Sequence, residues 1–148
     1  MAAGNFVVLD AAQEKIGAAV NLDSDAFSLV LLTNAQALTA AFTGASGQAL
    51  YADLTAEVVG TGYTAGGEAM TGVSWATVGD VTTFEADPVT WETATLTAKY
   101  AAIIDTTVAG DPIIGFADLE TTDPSGRSAA ATDFTVSWPS GVFTLEKA

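Results

Sequence analysis

Thr95-Leu96-Thr97-Ala98-Lys99-Tyr100-Ala101-Ala102-Ile103-Ile104 is the stretch of this chain that decides its fold. Apolar or aromatic side chains occupy every second position from residue 96 to residue 104, and Thr95, Thr97 and Lys99 lie between the first of them. Because successive side chains of a strand point to opposite sides of a sheet, this pattern predicts a strand with one buried face. Such half-buried strands are typical of antiparallel sheets.

Several other segments have the composition of strands. Segment 27–33 is apolar at odd and even positions, which predicts a central strand buried on both faces. Val73 and Trp75 share a face in segment 71–77, and Gly79-Asp80 is a candidate hairpin link between Val78 and Val81. Asp87-Pro88 either ends a strand or places the next one at an edge. The remaining candidate strands are in the run 82–91, which contains this Asp-Pro pair, and in 113–119, 134–138 and 142–145.

The spacing of these strands predicts the fold class. Segment 9–18 is rich in helix-forming residues and predicts a short helix that ends at Gly17, whereas 34–50 and 121–132 have the composition of loops. We therefore expect a mainly β protein, with residues 1–148 forming a single-domain antiparallel β-sandwich, jelly-roll-like or related, with a short N-terminal helix. An immunoglobulin-like sandwich and a smaller α+β sandwich remain open as alternatives.

The charge balance excludes one class of partner. The chain has 18 acidic residues against Lys15, Lys99, Arg127 and Lys147, which gives a net charge of −14. Nucleic-acid binding requires clustered lysine and arginine, so we expect no nucleic-acid partner. The longest apolar runs, such as 29–32, are far shorter than the roughly 20 residues that span a bilayer, and the start lacks the pattern of a signal peptide. We expect a soluble protein without a membrane partner.

Residue types also restrict the chemistry. The chain contains no histidine and no cysteine, which excludes a serine–histidine triad, a thiol nucleophile and a zinc site built from these ligands. A carboxylate pair of the glycosidase kind is the remaining catalytic alternative, with candidates Asp105 and Asp111 or Glu85 and Asp87. An acidic protein offers such pairs by chance. We therefore expect a protein that is not an enzyme and that uses no cofactor and no metal.

The segment Asn21-Leu22-Asp23-Ser24-Asp25 begins like a calcium loop, because oxygen-bearing side chains alternate along it. The match then fails, since Ala26 stands where such a loop needs glycine and Leu32 where it needs a bidentate glutamate. We expect a turn with local Asx hydrogen bonds. A weak calcium site assembled from separate loops remains an alternative.

Four ordered segments indicate a family. They are GTGYTAGG at 60–67, DPVTW at 87–91, ATLTAKYAAI at 94–103 and PIIGFAD at 112–118. In this order they resemble a family of small structural proteins of tailed bacteriophages. The resemblance implies a virion protein assembled in the host cytoplasm, either a capsid decoration or cement protein that stabilises the head shell or a tail, neck or fibre-base subunit. The implied partners are the major capsid protein or other virion proteins, and the implied state is a homo-oligomer, with a trimer favoured by threefold lattice positions.

The glycine-rich block 60–67 has no following lysine and does not stand between a strand and a helix, so it is not a phosphate loop. Its glycines permit positive φ, and Tyr63 can fold its ring over the neighbouring sheet.

The uncharged segment 1–9 is a candidate attachment arm, with an ordinary N-terminal strand as the alternative. The candidate attachment or interface residues are Phe6, Val7, Val8, Leu9, Tyr63 and Trp91. If Trp75, Trp91 or Trp138 were exposed, its ring could stack on a sugar, and the protein would then be a carbohydrate-binding module. Core packing is favoured for at least two of these tryptophans.

Overall fold

The computed structural model describes residues 3–146, and it is mainly β with antiparallel pairing in every sheet, as the sequence predicts. A single α-helical turn and one turn of 3-10 helix (Tyr51–Asp53) accompany the strands in the described part of the chain. The elements are β1 (Phe6–Val8), α1 (Asp10–Gln13), β2 (Phe27–Leu32), β3 (Glu68–Ala69), β4 (Ser74–Val78), β5 (Val81–Glu85), β6 (Val89–Ala98), β7 (Tyr100–Asp105), β8 (Ile113–Asp118), β9 (Arg127–Val136) and β10 (Phe143–Glu146).

Three sheets build the sandwich. A five-stranded sheet has the order β1-β8-β7-β2-β3, a three-stranded sheet has the order β10-β5-β4, and β6 pairs with β9 in a two-stranded ribbon. β4 and β5 form the predicted hairpin, with Val78 directly opposite Val81 across Gly79-Asp80. Asp87-Pro88 lies between the end of β5 at Glu85 and the start of β6 at Val89, and β6 pairs with β9 alone among the described strands, so Val89–Trp91 lie at an edge.

The five-stranded sheet is buried on both faces. On one face, Leu29, Leu31 and Ile103 pack with the ribbon and with the three-stranded sheet in the larger core. On the other face, Val30 and Leu32 belong to a second core, which is closed by α1 and by residues of the loop 34–50. β2 is therefore the doubly buried central strand that its unbroken apolar run predicts.

The expected strand 95–104 is wrong in one respect, because the chain changes sheet at Lys99. Leu96 and Ala98 lie in the larger core from β6, but Tyr100, Ala102 and Ile104 face the second core from β7. The alternation along the sequence therefore does not correspond to one face. Lys99 is itself buried, and its Nζ forms an ion pair of 2.9 Å with Asp118 and donates to the carbonyl of Glu120.

The expected loop 121–132 is also wrong in its second half. β9 begins at Arg127, is ten residues long and pairs with β6, although most of its side chains up to Asp133 are exposed. The polar composition that suggested a loop thus belongs to the solvent face of a ribbon. The predicted N-terminal helix is present but shorter than expected, because α1 covers only Asp10–Gln13 and is followed by turns up to Val20.

Candidate functional site: an uncharged groove between two sheet edges

An open groove of about 960 Å³ lies between segments 3–16 and 138–145. Residues from segment 3–8 form one wall, together with Gln13 and Ile16, and residues 138–145 form the other. Among residues 3–146, none of the residues that line it is Asp, Glu, Lys or Arg, although the chain carries 22 charged residues. Depletion of charge is the compositional mark of the centre of a protein interface.

Two sheet edges line this groove. β1 is the terminal strand of the five-stranded sheet and pairs only with β8, and β10 is the terminal strand of the three-stranded sheet and pairs only with β5. In an antiparallel strand, backbone groups alternate between the two sides, so each edge directs a row of N–H and C=O groups away from its sheet. Unpaired edges of this kind accept an additional strand.

Aromatic rings join the two walls at the base of the groove. The ring of Phe6 stacks on that of Phe143 with centroids 5.6 Å apart and an interplanar angle of 13°. The edge of Phe6 also meets Trp138 at 6.0 Å, and Phe143 packs against Phe84 at 5.3 Å. The two sheets are thus held at a fixed separation by ring contacts. Leu145, farther along β10, is 57% exposed and offers an apolar side chain to the groove.

Gly115 on β8 allows β1 to lie this close. Gly115 is opposite Val8 in the ladder, and a Cβ atom there would overlap the carbonyl oxygen of Val7 and the ring of Phe6. Any larger residue would push the Phe6 ring out of its stack on Phe143.

The structure places the candidate arm 1–9 within the domain's own sheet over its described part. Phe6, Val7 and Val8 form β1 and are half-buried. This agrees with the alternative that the segment is an ordinary N-terminal strand. Leu9 is fully buried in the second core and is not available at the surface of this fold. Met1 and Ala2 lie outside the described residues. Of the six candidate residues, Phe6 and Val8 are the ones that line the groove.

Tyr63 has a structural role inside the glycine-rich block. Its hydroxyl donates to Glu57 Oε1 at 2.7 Å and accepts from the Leu31 backbone N–H at 3.0 Å, and its ring lies over Trp91 at 5.9 Å. Burial and the Glu57 carboxylate raise the pKa of Tyr63 well above its usual value. Burial and the same carboxylate raise the pKa of Tyr51 to about 12, since Tyr51 donates to Glu57 Oε2 at 2.6 Å. The contact of the Tyr63 ring with Trp91 agrees with the expectation that this ring folds over the neighbouring sheet.

Gly67 shows why this block needs glycine. Its φ is +73°, and a Cβ atom there would overlap the Leu29 carbonyl group of β2. The neighbouring Gly66 N–H donates to Glu57 Oε1 at 2.7 Å. The block is therefore a tight turn that is fastened to the central strand, which agrees with the conformational role predicted for its glycines.

The tryptophans are mostly core residues. Trp91 is 1% exposed and Trp138 is 8% exposed, so neither presents a ring face to solvent, and Trp75 is half-buried beside Phe84 and Phe143. For Trp91 the core alternative therefore agrees with the structure. Its position in the ribbon opposite Phe134 places it over the larger core.

The acidic candidates Asp87 and Asp105 have different surroundings. Asp87 accepts a hydrogen bond from Thr71, and Asp105 is fully buried with Asp25 beside it. In the loop that contains Asp25, the predicted Asx turn is present, since the Asp23 N–H donates to Asn21 Oδ1 at 3.0 Å. Across residues 3–146, no group of three or more His, Cys, Asp and Glu side chains is placed to hold a metal ion.

The groove as a whole was not predicted from the sequence. The sequence nevertheless contains a signal for it, because segments 1–9 and 134–145 are both free of charged residues in a strongly acidic chain. They are separated by more than a hundred positions, so only the folded structure brings them together. No helix in the described part of the chain is long and apolar enough to cross a membrane.

Comparison with known proteins adds no relative, because no protein-family model, no curated protein and no solved structure matches this chain. The role of the groove must therefore be inferred from its residues and geometry.

Proposed function

We propose that this protein is a bacteriophage virion structural protein that decorates and stabilises the capsid shell, with the groove between β1 and β10 as its attachment site. The observation that carries the proposal is a pair of sheet edges that pair with no second strand of the described chain, in a groove whose described lining residues are uncharged. The resemblance of four ordered segments to small virion proteins supplies the context. No catalytic role is proposed.

The occupant that fits this groove is an extended, uncharged segment of the shell protein. A strand added to β1 or β10 would satisfy outward backbone groups of that edge, and apolar side chains of the strand would contact Phe6, Val8 and Leu145. A charged segment would lose its hydration without gaining an ionic partner there.

A shell offers many copies of such a segment, so modest affinity for each one suffices. If the subunits are linked in a homo-oligomer, of which we propose a trimer at threefold positions, binding of one subunit raises the effective concentration of the others. Because this protein would bind the assembled shell and not its free subunits, its binding would shift the assembly equilibrium toward the closed particle by mass action.

Cosedimentation with shells that lack the protein tests this proposal. We expect the wild-type protein to pellet with the shells, and Leu145→Glu to lose at least tenfold in affinity because it places a charge in the groove. Val78→Glu is the matched control, since Val78 is 82% exposed on β4 and lies outside the groove. Equal binding by both variants would reject the groove as the attachment site.

A tail, neck or fibre-base subunit would use the same edges to join a ring, and the groove does not favour either location. Immunolabelled particles in negative stain distinguish the two. Label distributed over the shell agrees with decoration, whereas label at a single vertex would transfer the proposal to the tail. The carbohydrate-binding alternative has less support, because two of the three tryptophans are in the core.

A further inference from the structure

A second depression adjoins the groove. This depression, called the hollow below, has a volume of about 330 Å³ and is lined by residues 16–22 and Trp75. Ile16 lines both the hollow and the groove, so the two depressions meet there. Among residues 3–146, none of the residues that line the hollow is charged, in a chain with 22 charged residues. The uncharged surface of the groove therefore continues into the hollow.

Aromatic contacts also join the hollow to the groove. The centroid of the Trp75 ring lies 5.7 Å from that of Phe143, which stacks on Phe6 at 5.6 Å. Phe143 and Phe6 line the groove, so Trp75 is in ring contact with the groove wall. Trp75 is half-buried, whereas the other two tryptophans are core residues. Tryptophan is enriched among the residues that carry most of the binding energy of an interface.

The hollow is already formed in the free protein. The N–H groups of Ala19 and Val20 donate to the Lys15 carbonyl, each at 2.9 Å. The Gly17 N–H donates to the Val20 carbonyl at 2.8 Å. The side chains of Val20 and Leu22 are buried in the larger core, which holds the segment in place. A partner can therefore bind without first ordering this segment, and this lowers the entropic cost of binding.

The lining of the hollow suits an aliphatic side chain. Apart from Asn21 and Trp75, its residues are Ile, Gly, Ala, Val and Leu. The Asn21 side chain is already engaged, because its Oδ1 accepts the Asp23 N–H at 3.0 Å. A sugar needs polar groups placed to orient it, and this lining is poor in them. An aliphatic group needs only apolar surface that is removed from water on binding.

We propose that the extended shell segment bound in the groove continues past Ile16 and inserts an aliphatic side chain into the hollow, against the ring of Trp75. This inference rests on the proposed function and gives the same partner a second anchor. One occupant fits both depressions, because a segment that reaches Ile16 in the groove is already at the rim of the hollow. In strand addition, main-chain hydrogen bonds give affinity and side-chain pockets give specificity, so the hollow fixes the register of the added strand. The anchor uses the Trp75 ring and not the backbone edge of β4.

Cosedimentation with shells that lack the protein tests this anchor. Ala18→Glu places a charge in the hollow at an exposed position, and we expect it to lose at least tenfold in affinity. Ala37→Glu is the matched control, because it makes the same change at an exposed alanine that lines neither depression, and it should bind like the wild-type protein. Equal binding by these two variants, with Leu145→Glu still impaired, would overturn the second anchor and leave the groove as the attachment site.

Hydroxyl-radical footprinting read by mass spectrometry is a second measurement that needs no variant. In the shell-bound protein we expect oxidation of Trp75 and Leu145 to fall, because the segment covers both. Oxidation of Val59, which is 96% exposed and lines neither depression, should be unchanged. Protection of only one of the two residues would overturn this inference, and protection of Leu145 alone would leave the groove as the attachment site. Protection of neither residue, or no binding to the shells, would reject the groove and the hollow together.

Discussion

At the scale of single residues, Tyr63 connects the glycine-rich block to the central strand. Its hydroxyl both accepts from the buried Leu31 N–H and donates to Glu57, so two elements depend on one oxygen atom. The sequence predicts that the ring packs over the sheet, because an aromatic residue stands in a block of glycines. The Glu57 partner could not be predicted, since that contact depends on how the loop folds back.

Tyr63→Phe is expected to reduce the free energy of unfolding by about 1 to 3 kcal/mol, because the buried Leu31 N–H loses its acceptor. Tyr51→Phe is the control. It removes a hydroxyl from the same carboxylate but leaves no backbone group unpaired, so we expect a loss of about 1 kcal/mol or less. Urea unfolding followed by tryptophan fluorescence measures both. A larger loss for Tyr51→Phe than for Tyr63→Phe would contradict the role given to Leu31.

Asp105 should make stability depend on pH in a defined window. Its pKa is raised to about 6 from an ordinary value of 3.8, so the native state binds the proton more tightly than the unfolded chain does. The free energy of unfolding should therefore fall as the pH rises from about 4 to about 6, and this contribution should be constant above that window. The expected size is about 1 to 3 kcal/mol, since one pKa unit corresponds to about 1.4 kcal/mol and partial solvation reduces the total.

Urea unfolding of the wild-type protein and Asp105→Asn between pH 4 and pH 7, both in EDTA, measures this contribution. The difference between the two curves isolates Asp105 from Glu120 and Asp123, whose lowered pKa values act in the opposite direction at lower pH. Parallel curves would show that Asp105 titrates normally.

At the scale of elements, the ribbon of β6 and β9 shows what periodicity can and cannot predict. The period of two in segment 94–104 correctly identifies strands on both sides of Lys99. It continues without interruption through the position where the chain leaves the ribbon and enters the five-stranded sheet, so the change of face leaves no mark in the pattern. β9 was missed for a related reason, because a solvent-facing ribbon can be as polar as a loop.

A bulge bends this ribbon, and it places a β-branched residue in an unfavourable conformation. The register shifts on both sides of Ala94, and Thr93 has a φ of +49°. Its N–H donates to Asp133 Oδ1 at 3.0 Å, which holds the bulge in place. Positive φ is costly for threonine but is tolerated by asparagine.

Thr93→Asn is therefore expected to increase the free energy of unfolding by about 0.5 to 1 kcal/mol. Thr144→Asn on the exposed face of β10 is the control, and it should destabilise slightly because asparagine is disfavoured in strands. Thermal unfolding of both variants measures the difference. A loss of stability in Thr93→Asn would mean that the threonine side chain contributes more than its backbone strain costs.

At the scale of the whole molecule, the fold brings β1 and β10 together. The fold class follows from strand spacing and from the doubly apolar β2, both of which are local properties. The groove does not follow from local properties, because β1 and β10 belong to different sheets and meet at the contact of Phe6 with Phe143. Tyr63 and Trp91 are candidate interface residues from their residue types alone, because aromatic residues are enriched at interfaces. Their burial depends on the folded segments around them and could not be predicted.

Hydrogen exchange of the shell-bound protein, compared with the free protein, tests most directly whether the groove is the attachment site. Strand addition predicts new protection at backbone amides of Phe6–Val8 and Phe143–Glu146, because those edges gain hydrogen-bond partners on binding. It predicts unchanged exchange at the β4 edge, which lies outside the groove. Protection at β4 with none at β1 and β10 would contradict the attachment site proposed for this protein.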